Sequence, residues 1–362
     1  MSGHLRHVRP ALAHIPQYIP GRVVGGDGPT HKLSSNENPY SPVPAVRRAA
    51  AAALESSNRY PDLAATALVT AIADFVGVAP DRVVVGTGSV GVLAQVLQAT
   101  CEPGDEVVSA WRSFEAYPIA ARVAGARLVP VPLTADGRHD LAEMARAVTD
   151  RTRLVLVCTP NNPTGPAVHG QEVLDLLAVV AGRCPVVLDE AYVEFVRDPR
   201  AVDALALAAA RDDVVVLRTF SKAHGLASLR VGYGVTGPAI ADAMRATAVP
   251  FGVSAVAQAA ALAALEAWDE VAAQVALIIA ERARVAAGLA GAGWRIPEPQ
   301  GNFVWLPVGD ATDDLVTAFA DQGIAVRGFS GEGVRVSIGE PAANDLVLEI
   351  LRNLRWAGVR GA

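Results

Sequence analysis

Short β-branched apolar runs alternate with alanine-rich stretches of helical length from about residue 47 to residue 245. The runs are RVVVG (82–86), EVVSA (106–110), RLVPVPL (127–133), RLVLVC (153–158), PVVLD (185–189), VVVLR (214–218) and RVGYGV (230–235). Segments such as 89–101, 140–149 and 170–183 lie between several of them. Strands apolar on both faces, separated by helices, predict an α/β fold with a mostly parallel seven-stranded sheet sandwiched by helices. From about 253 to 290 the pattern predicts one long linking helix. NFVWLPV, a helix near 312–322, IAVRGF, GVRVSIG and a final helix from about 342 then predict a smaller C-terminal α/β domain. The first stretch is proline-rich and lacks helical periodicity, so an arm packing with the small domain is expected there. The expected division is an arm over 1–45, a large domain over 46–255 and a small domain over 256–362.

Composition narrows the function. At 362 residues with 51% hydrophobic and 19% charged side chains, the chain can bury a sizeable core. A net charge of −6 offers no footprint for nucleic acid or an anionic membrane. Cys101, Cys158 and Cys184 form no CxxC pair and read as reduced, packed thiols of a cytoplasmic protein. The first residues, MSGHLRHVRPALAHIP, hold no apolar run of signal-peptide length. The uncharged stretch 246–265 carries Pro250, Gly252, Ser254 and Gln258, so it reads as a buried helix start and not a membrane span.

Ligands of open α/β sheets sit outside the carboxyl ends of the strands, which singles out the residues just beyond each run. GTGSVG (86–91) leads into a helix, and its glycines let backbone N–H groups approach an anion. It is also a literal dinucleotide fingerprint, G-x-G-x-x-G. That reading needs an acidic residue at the end of the next strand, whereas Asp105 and Glu106 lie at its start and it runs on into SAWRSF. A phosphate held at Ser89 and Val90 survives. Asp189 closes an apolar strand, where a carboxylate is costly unless paired. Thr219-Phe220-Ser221-Lys222 follow the next strand, with Arg230 beyond.

Lys222 is singular. The chain has only two lysines, Lys32 and Lys222, among its 31 basic residues. An amine can lose its proton and attack a carbonyl, which a guanidinium cannot. A carboxylate, an amine and an anion cradle at neighbouring strand ends suit pyridoxal 5′-phosphate, which offers a ring nitrogen, an aldehyde and a phosphate.

The motifs SSNENPY, NRYPD, GTGS, TPNNPTG, VVLDEAYVEF, RTFSKAHGLASLRVGY, GNFVWLP and GVRVSIGE resemble those of the fold-type I pyridoxal phosphate aminotransferases. The branch resembles the histidinol-phosphate aminotransferase group. Within it, LRPALAHIPQYIPG, SAWRSFEAYP and DEAYVEFVRD are most similar to phenylalanine, or aromatic amino acid, aminotransferases. The resemblance runs from about residue 5 to the C-terminus. It implies that Lys222 is the Schiff-base lysine and proton shuttle, and that Asp189 pairs with the pyridine nitrogen. It implies that Tyr192 and Asn162 bond the ring's 3′ oxygen and that Phe114 stacks on the ring. Ser89, Val90, Thr219, Ser221 and Arg230 would hold the phosphate, with Tyr60 reaching it from the partner of a homodimer. Arg335 would grip the substrate α-carboxylate, with Tyr18 and Arg327 at the substrate end. No metal enters this reading. His224, Ser228 and Ser41 depart from the usual residues of the pattern.

Each assignment has a plainer alternative. Asp189 could cap a helix, Asn162 could form a turn, and Phe114 and Tyr192 could be core aromatics. Arg335 could be an exposed alternate-face residue, and Tyr18 a packing anchor. The implied activity is ping-pong transamination of phenylalanine, tyrosine or tryptophan with a 2-oxo acid; the alternative substrate is histidinol phosphate. In histidinol-phosphate enzymes an arginine at the place of Arg327 helps hold the substrate phosphate, but the aromatic branch keeps one too, so Arg327 does not decide. Two other classes compete: a nicotinamide dehydrogenase, and the effector-binding module of a transcription regulator. The regulator reading lacks room for a helix-turn-helix before residue 45.

Overall fold

The computed structural model of the protein describes residue 15 and residues 30–354. Its strands are β1 (His31–Lys32), β2 (Val83–Gly86), β3 (Glu106–Trp111), β4 (Arg127–Pro132), β5 (Thr152–Cys158), β6 (Val186–Asp189), β7 (Val214–Thr219), β8 (Gly232–Val235), β9 (Phe303–Leu306), β10 (Ile324–Ala325), β11 (Arg327–Phe329) and β12 (Gly333–Ser337). Its helices are α1 (Pro44–Leu54), α2 (Thr66–Val76), α3 (Gly88–Thr100), α4 (Ala116–Ala124), α5 (Leu141–Arg146), α6 (Gly170–Val180), α7 (Ala204–Ala210), α8 (Pro238–Ala246), α9 (Ala255–Glu266), α10 (Trp268–Gly291), α11 (Thr312–Asp321) and α12 (Pro341–Asn353).

Alternation along the apolar strands builds two cores. In β5, Leu154, Leu156 and Cys158 join one buried cluster while Val155 and Val157 join the other. The first cluster is closed by Val92, Val96 and Leu97 of α3, Tyr117 of α4 and Met244 of α8. The second is covered by α2, α5, α6 and α7 and runs on into Phe303, Phe319 and Val334 of the C-terminal unit. Both sheet faces are therefore covered, apart from the half-exposed edge strand β4, as the continuous apolar runs require.

The large sheet has the order β2-β8-β7-β6-β5-β3-β4, the seven strands expected from the sequence. β4, β3, β5, β6 and β7 are mutually parallel, and β8 runs antiparallel to both β7 and β2. This arrangement gathers the carboxyl ends of six strands, and the start of β8, along one edge. The C-terminal unit has the antiparallel order β11-β12-β9, and β1 of the arm pairs with β10, His31 opposite Ile324.

The single helix expected over 253–290 is two. α9 ends at Glu266, Ala267 leaves helical geometry at φ −95° and ψ 30°, and α10 begins at Trp268. The halves serve different neighbours: α9 packs against α1 and α2, whereas α10 packs against α12 and β9. Asp269 and Glu270 occupy the first turn of α10, where the helix dipole favours acidic residues. No glycine or proline marks the break, so apolar periodicity runs straight through it.

Leu154 is fully buried in the middle of β5. Replacing it by alanine should cost about 2–5 kcal/mol of stability, measured by urea denaturation. A loss below about 1 kcal/mol would mean that this core relaxes around the cavity.

Candidate active site

The edge just described opens on a cavity of about 450 Å³. It lies at the switch point of the sheet, where β3 has β4 on one side and β5 on the other. Ser89 and Val90 at the start of α3 line it, as do Phe114, Asn162, Asp189 and Tyr192. Thr219, Ser221, Lys222 and Arg230 line it from β7 and the approach to β8, and Arg327 and Arg335 from the C-terminal unit. One expected residue among those described, Tyr60, is not on this wall. Tyr60 is 83% exposed and stacks on Phe251, with centroids 4.6 Å apart, and Tyr18 falls outside the described residues. A larger groove of about 710 Å³ lies elsewhere and contains neither Lys222 nor Asp189. Its charges pair with one another, as in Arg112–Glu332 and Arg200–Asp198.

Asp189 ends β6 and is buried, so desolvation raises its carboxyl to about 6, against the pull of the Tyr117 hydroxyl and the Ala191 backbone. Tyr117 donates to Oδ2 at 2.6 Å, while Oδ1 is buried without a partner. The short turn after β6 begins only beyond Tyr192, so Asp189 does not cap it. Lys222 follows β7. Burial lowers its amine to about 7, with the Arg335 charge adding to the effect. Nζ donates to the Ser35 carbonyl at 3.2 Å and lies 5.8 Å from the centre of the Tyr192 ring.

The anion cradle depends on two glycines. A Cβ on Gly232 would fall 2.5 Å from the Ser89 nitrogen, and one on Gly88 would fall 2.7 Å from Arg230 Nη2. Gly88 also has φ +78°, a conformation disfavoured for side-chain-bearing residues. Because β8 is antiparallel, Arg230 sits beside the start of α3, in left-handed backbone at φ +53°. Its Nη1 donates to the Ala227 carbonyl at 2.7 Å and to Ser221 Oγ at 3.4 Å. Thr219 Oγ1 in turn accepts from the Ser221 N–H at 3.1 Å.

The opposite wall is the loop SSNENPY. Arg335 donates from Nη2 to the Ser34 carbonyl at 2.7 Å and from Nη1 to Asn162 Oδ1 at 2.5 Å. Asn36 donates from Nδ2 to the Tyr192 hydroxyl at 3.0 Å, and its N–H donates to Ser337 Oγ at 2.8 Å. Ser34, Ser35, Asn36, Tyr117 and Glu115 are site residues that the sequence left unassigned. SSNENPY was visible as a motif, but its polar residues read equally as turn formers. Tyr117 and Glu115 lie in the quoted stretch SAWRSFEAYP, but the resemblance assigned neither of them a role. His224 is buried against Phe220 and Trp268 behind the site, and burial lowers its ring to about 4, so it is a neutral packing group.

An amine and a carboxyl poised near neutrality beside an anion cradle mark an α/β enzyme with its site at the strand ends. The family model for class I and II aminotransferases matches residues 29–351, and the chain belongs to that family. It is 52% identical over 356 residues to an aromatic amino acid aminotransferase of Streptomyces coelicolor, covering 98% of this chain and 99% of the relative. It is 54% identical over 347 residues to one of Thermobifida fusca, covering 96% of each. Among solved structures, histidinol-phosphate aminotransferase from Sinorhizobium meliloti in complex with pyridoxal-5′-phosphate superposes with a TM-score of 0.87 at 28% identity, over 97% of this chain and 99% of that one. The architecture is that of the fold-type I transferases, as the sequence motifs implied. No helix among the described residues is long and apolar enough to cross a membrane.

With only two lysines, the chain allows a direct titration of Lys222. After ¹³C reductive methylation of unliganded protein, the resonance lost in Lys222→Met should titrate near pH 7. The folded amine has released a proton that the unfolded chain keeps up to the ordinary lysine value. Stability of the unliganded protein should therefore rise with pH from about 7 toward 10, and Lys222→Met should remove that slope in melting temperature. A midpoint above about 9 would contradict the burial argument.

Proposed function

We propose that the protein transfers the amino group of aromatic amino acids (phenylalanine, tyrosine and tryptophan) to a 2-oxo acid, with pyridoxal 5′-phosphate held in the strand-end cavity. The observation that carries this is the buried, unshared Oδ1 of Asp189 in the same cavity as the Lys222 amine. A buried carboxylate oxygen without a donor is costly, and a protonated ring nitrogen is the donor it lacks. The cradle suits the phosphate: Gly88 and Gly232, where a Cβ would crowd Arg230 and the Ser89 nitrogen, let the start of α3 and Arg230 come together. The names of the relatives at about half identity support aromatic amino acids as substrates.

When bound, the cofactor supplies an electron sink that makes the substrate's Cα–H acidic. Lys222 would hold it through its amine and, when that amine is free, would move the proton at the substrate's Cα. An amine lowered to about 7 is neutral often enough for both tasks. Asp189 keeps a proton on the ring nitrogen. Asn162 has its Oδ1 occupied by Arg335, so its Nδ2 is left to donate to the ring's 3′ oxygen together with the Tyr192 hydroxyl. Phe114 covers the ring face. Ser89, Val90, Thr219, Ser221 and Arg230 hold the phosphate, and Arg335 grips the substrate α-carboxylate in a two-pronged contact. Tyr18 and Arg327 complete the substrate end. Both half-reactions use this one site, which makes the kinetics ping-pong.

The same reading extends to assembly. Tyr60, exposed and turned away from its own cavity, reaches the phosphate of a partner in a homodimer. The large domain (46–255) carries the cradle, while the small domain (256–362) and arm (1–45) close the substrate side. Three buried free thiols suit the reducing cytoplasm.

Lys222→Ala should lose about a thousandfold or more in turnover and retain no borohydride-fixable cofactor. Full turnover in that variant overturns the assignment. In a substrate panel, kcat/KM for phenylalanine should exceed that for histidinol phosphate by about tenfold or more, and the reverse order would replace the substrate proposed here. The protein should sediment as a dimer, and Tyr60→Phe should weaken cofactor affinity roughly tenfold, as for one lost bond to a charged group. A fully active monomer removes that role.

A further inference from the structure

Arg327 does not present a bare charge to the cavity. Its Nη2 donates to Glu115 Oε2 at 2.7 Å, and both residues line the cavity wall. The pair spans the two units of the chain: Glu115 immediately precedes α4 and follows Phe114, whereas Arg327 begins β11. The guanidinium side chain is 12% exposed and the carboxylate 30%, so water screens the pair only in part.

Register fixes where this pair stands relative to a bound amino acid. Arg327 lies directly opposite Arg335 in the β11–β12 ladder. Opposed residues point to the same face with Cβ atoms about 4.5–5.5 Å apart. A substrate gripped by Arg335 through its α-carboxylate therefore has its side chain within reach of the Arg327–Glu115 pair. That step rests on the reading of the cavity given above.

We infer that Glu115 is the specificity-determining residue for the substrate side chain, by occupying Arg327 against anionic groups. A phosphate ester or a second carboxylate must approach Arg327 beside the Glu115 carboxylate, and like charges at that separation repel. A neutral aromatic ring meets no such opposition. A guanidinium can keep its edge on a carboxylate and still offer a face to a ring. The Arg327 guanidinium already lies 5.6 Å from the centre of the Phe329 ring, and Ile119 adds apolar wall nearby. The same side chain that would attract phosphate is thus turned into part of a surface for flat, uncharged groups.

The test is Glu115→Gln in the cofactor-loaded enzyme, with Glu115→Ala as a second variant and Glu115→Asp as the charge-retaining control. The readout is the ratio of kcat/KM for histidinol phosphate to that for phenylalanine, with the apparent Ki of inorganic phosphate against phenylalanine alongside. Neutralising Glu115 should raise the ratio about tenfold or more and lower the phosphate Ki in parallel, while Glu115→Asp keeps the wild-type ratio. A smaller shift in both neutral variants, or an equal shift in Glu115→Asp, overturns the inference, because shape and not charge would then set the preference. The two readings fail separately. The aromatic-substrate reading is judged by the wild-type ratio alone, and the role of Glu115 by the variant ratio divided by the wild-type one.

Discussion

The hydrogen bond from the Tyr117 hydroxyl to Asp189 Oδ2 decides which way a buried carboxylate faces. With Oδ2 held at 2.6 Å, the other oxygen is left buried without a hydrogen-bond partner among the described residues. Burial raises the Asp189 carboxyl and lowers the Lys222 amine, so one physical cause brings an acid and a base toward neutrality from opposite sides. Neither group would titrate usefully on the protein surface.

Behind the cavity a second polar layer fixes the two strands that carry these groups. Arg218, the last residue before Thr219, donates from Nε and Nη2 to Glu190 Oε2 at 2.9 and 2.7 Å. Glu190 is the neighbour of Asp189. Each strand end therefore sends one side chain into the cavity and the next into a buried ion pair that ties β6 to β7. An ion pair this deep gains little net stability over an apolar pair, but breaking it would strand a charge. Its effect is positional: it holds the ends of the two strands in fixed relation.

The sheet was legible because its strands, apart from the half-exposed edge strand β4, are buried on both faces and so spell continuous apolar runs. Lys222 stood out for a different reason, contrast, as one of two lysines among 31 basic residues and the one that follows a strand of the large sheet. The break at Ala267 was not legible. It arises because α9 and α10 pack on different partners, and pattern along one helix carries no record of what lies opposite. Tyr117, Asn36 and Glu115 were hidden similarly. Their roles come from partners 72, 156 and 212 positions away, and single side chains of common type give no local sign of such contacts.

The wall that joins Asn36 to Ser337 and β1 to β10 spans 301 positions of sequence. Segments near the two ends of the chain close the pocket together. On a ribosome, the sheet and the lysine can form while the polypeptide is still being made, but the Ser34–Asn36 side stays unanchored until the codons for β12 have been read and that strand has emerged from the exit tunnel. The pocket is thus among the last parts of the molecule to be completed, and a nascent chain stalled before β12 would have its sheet but no finished place to work.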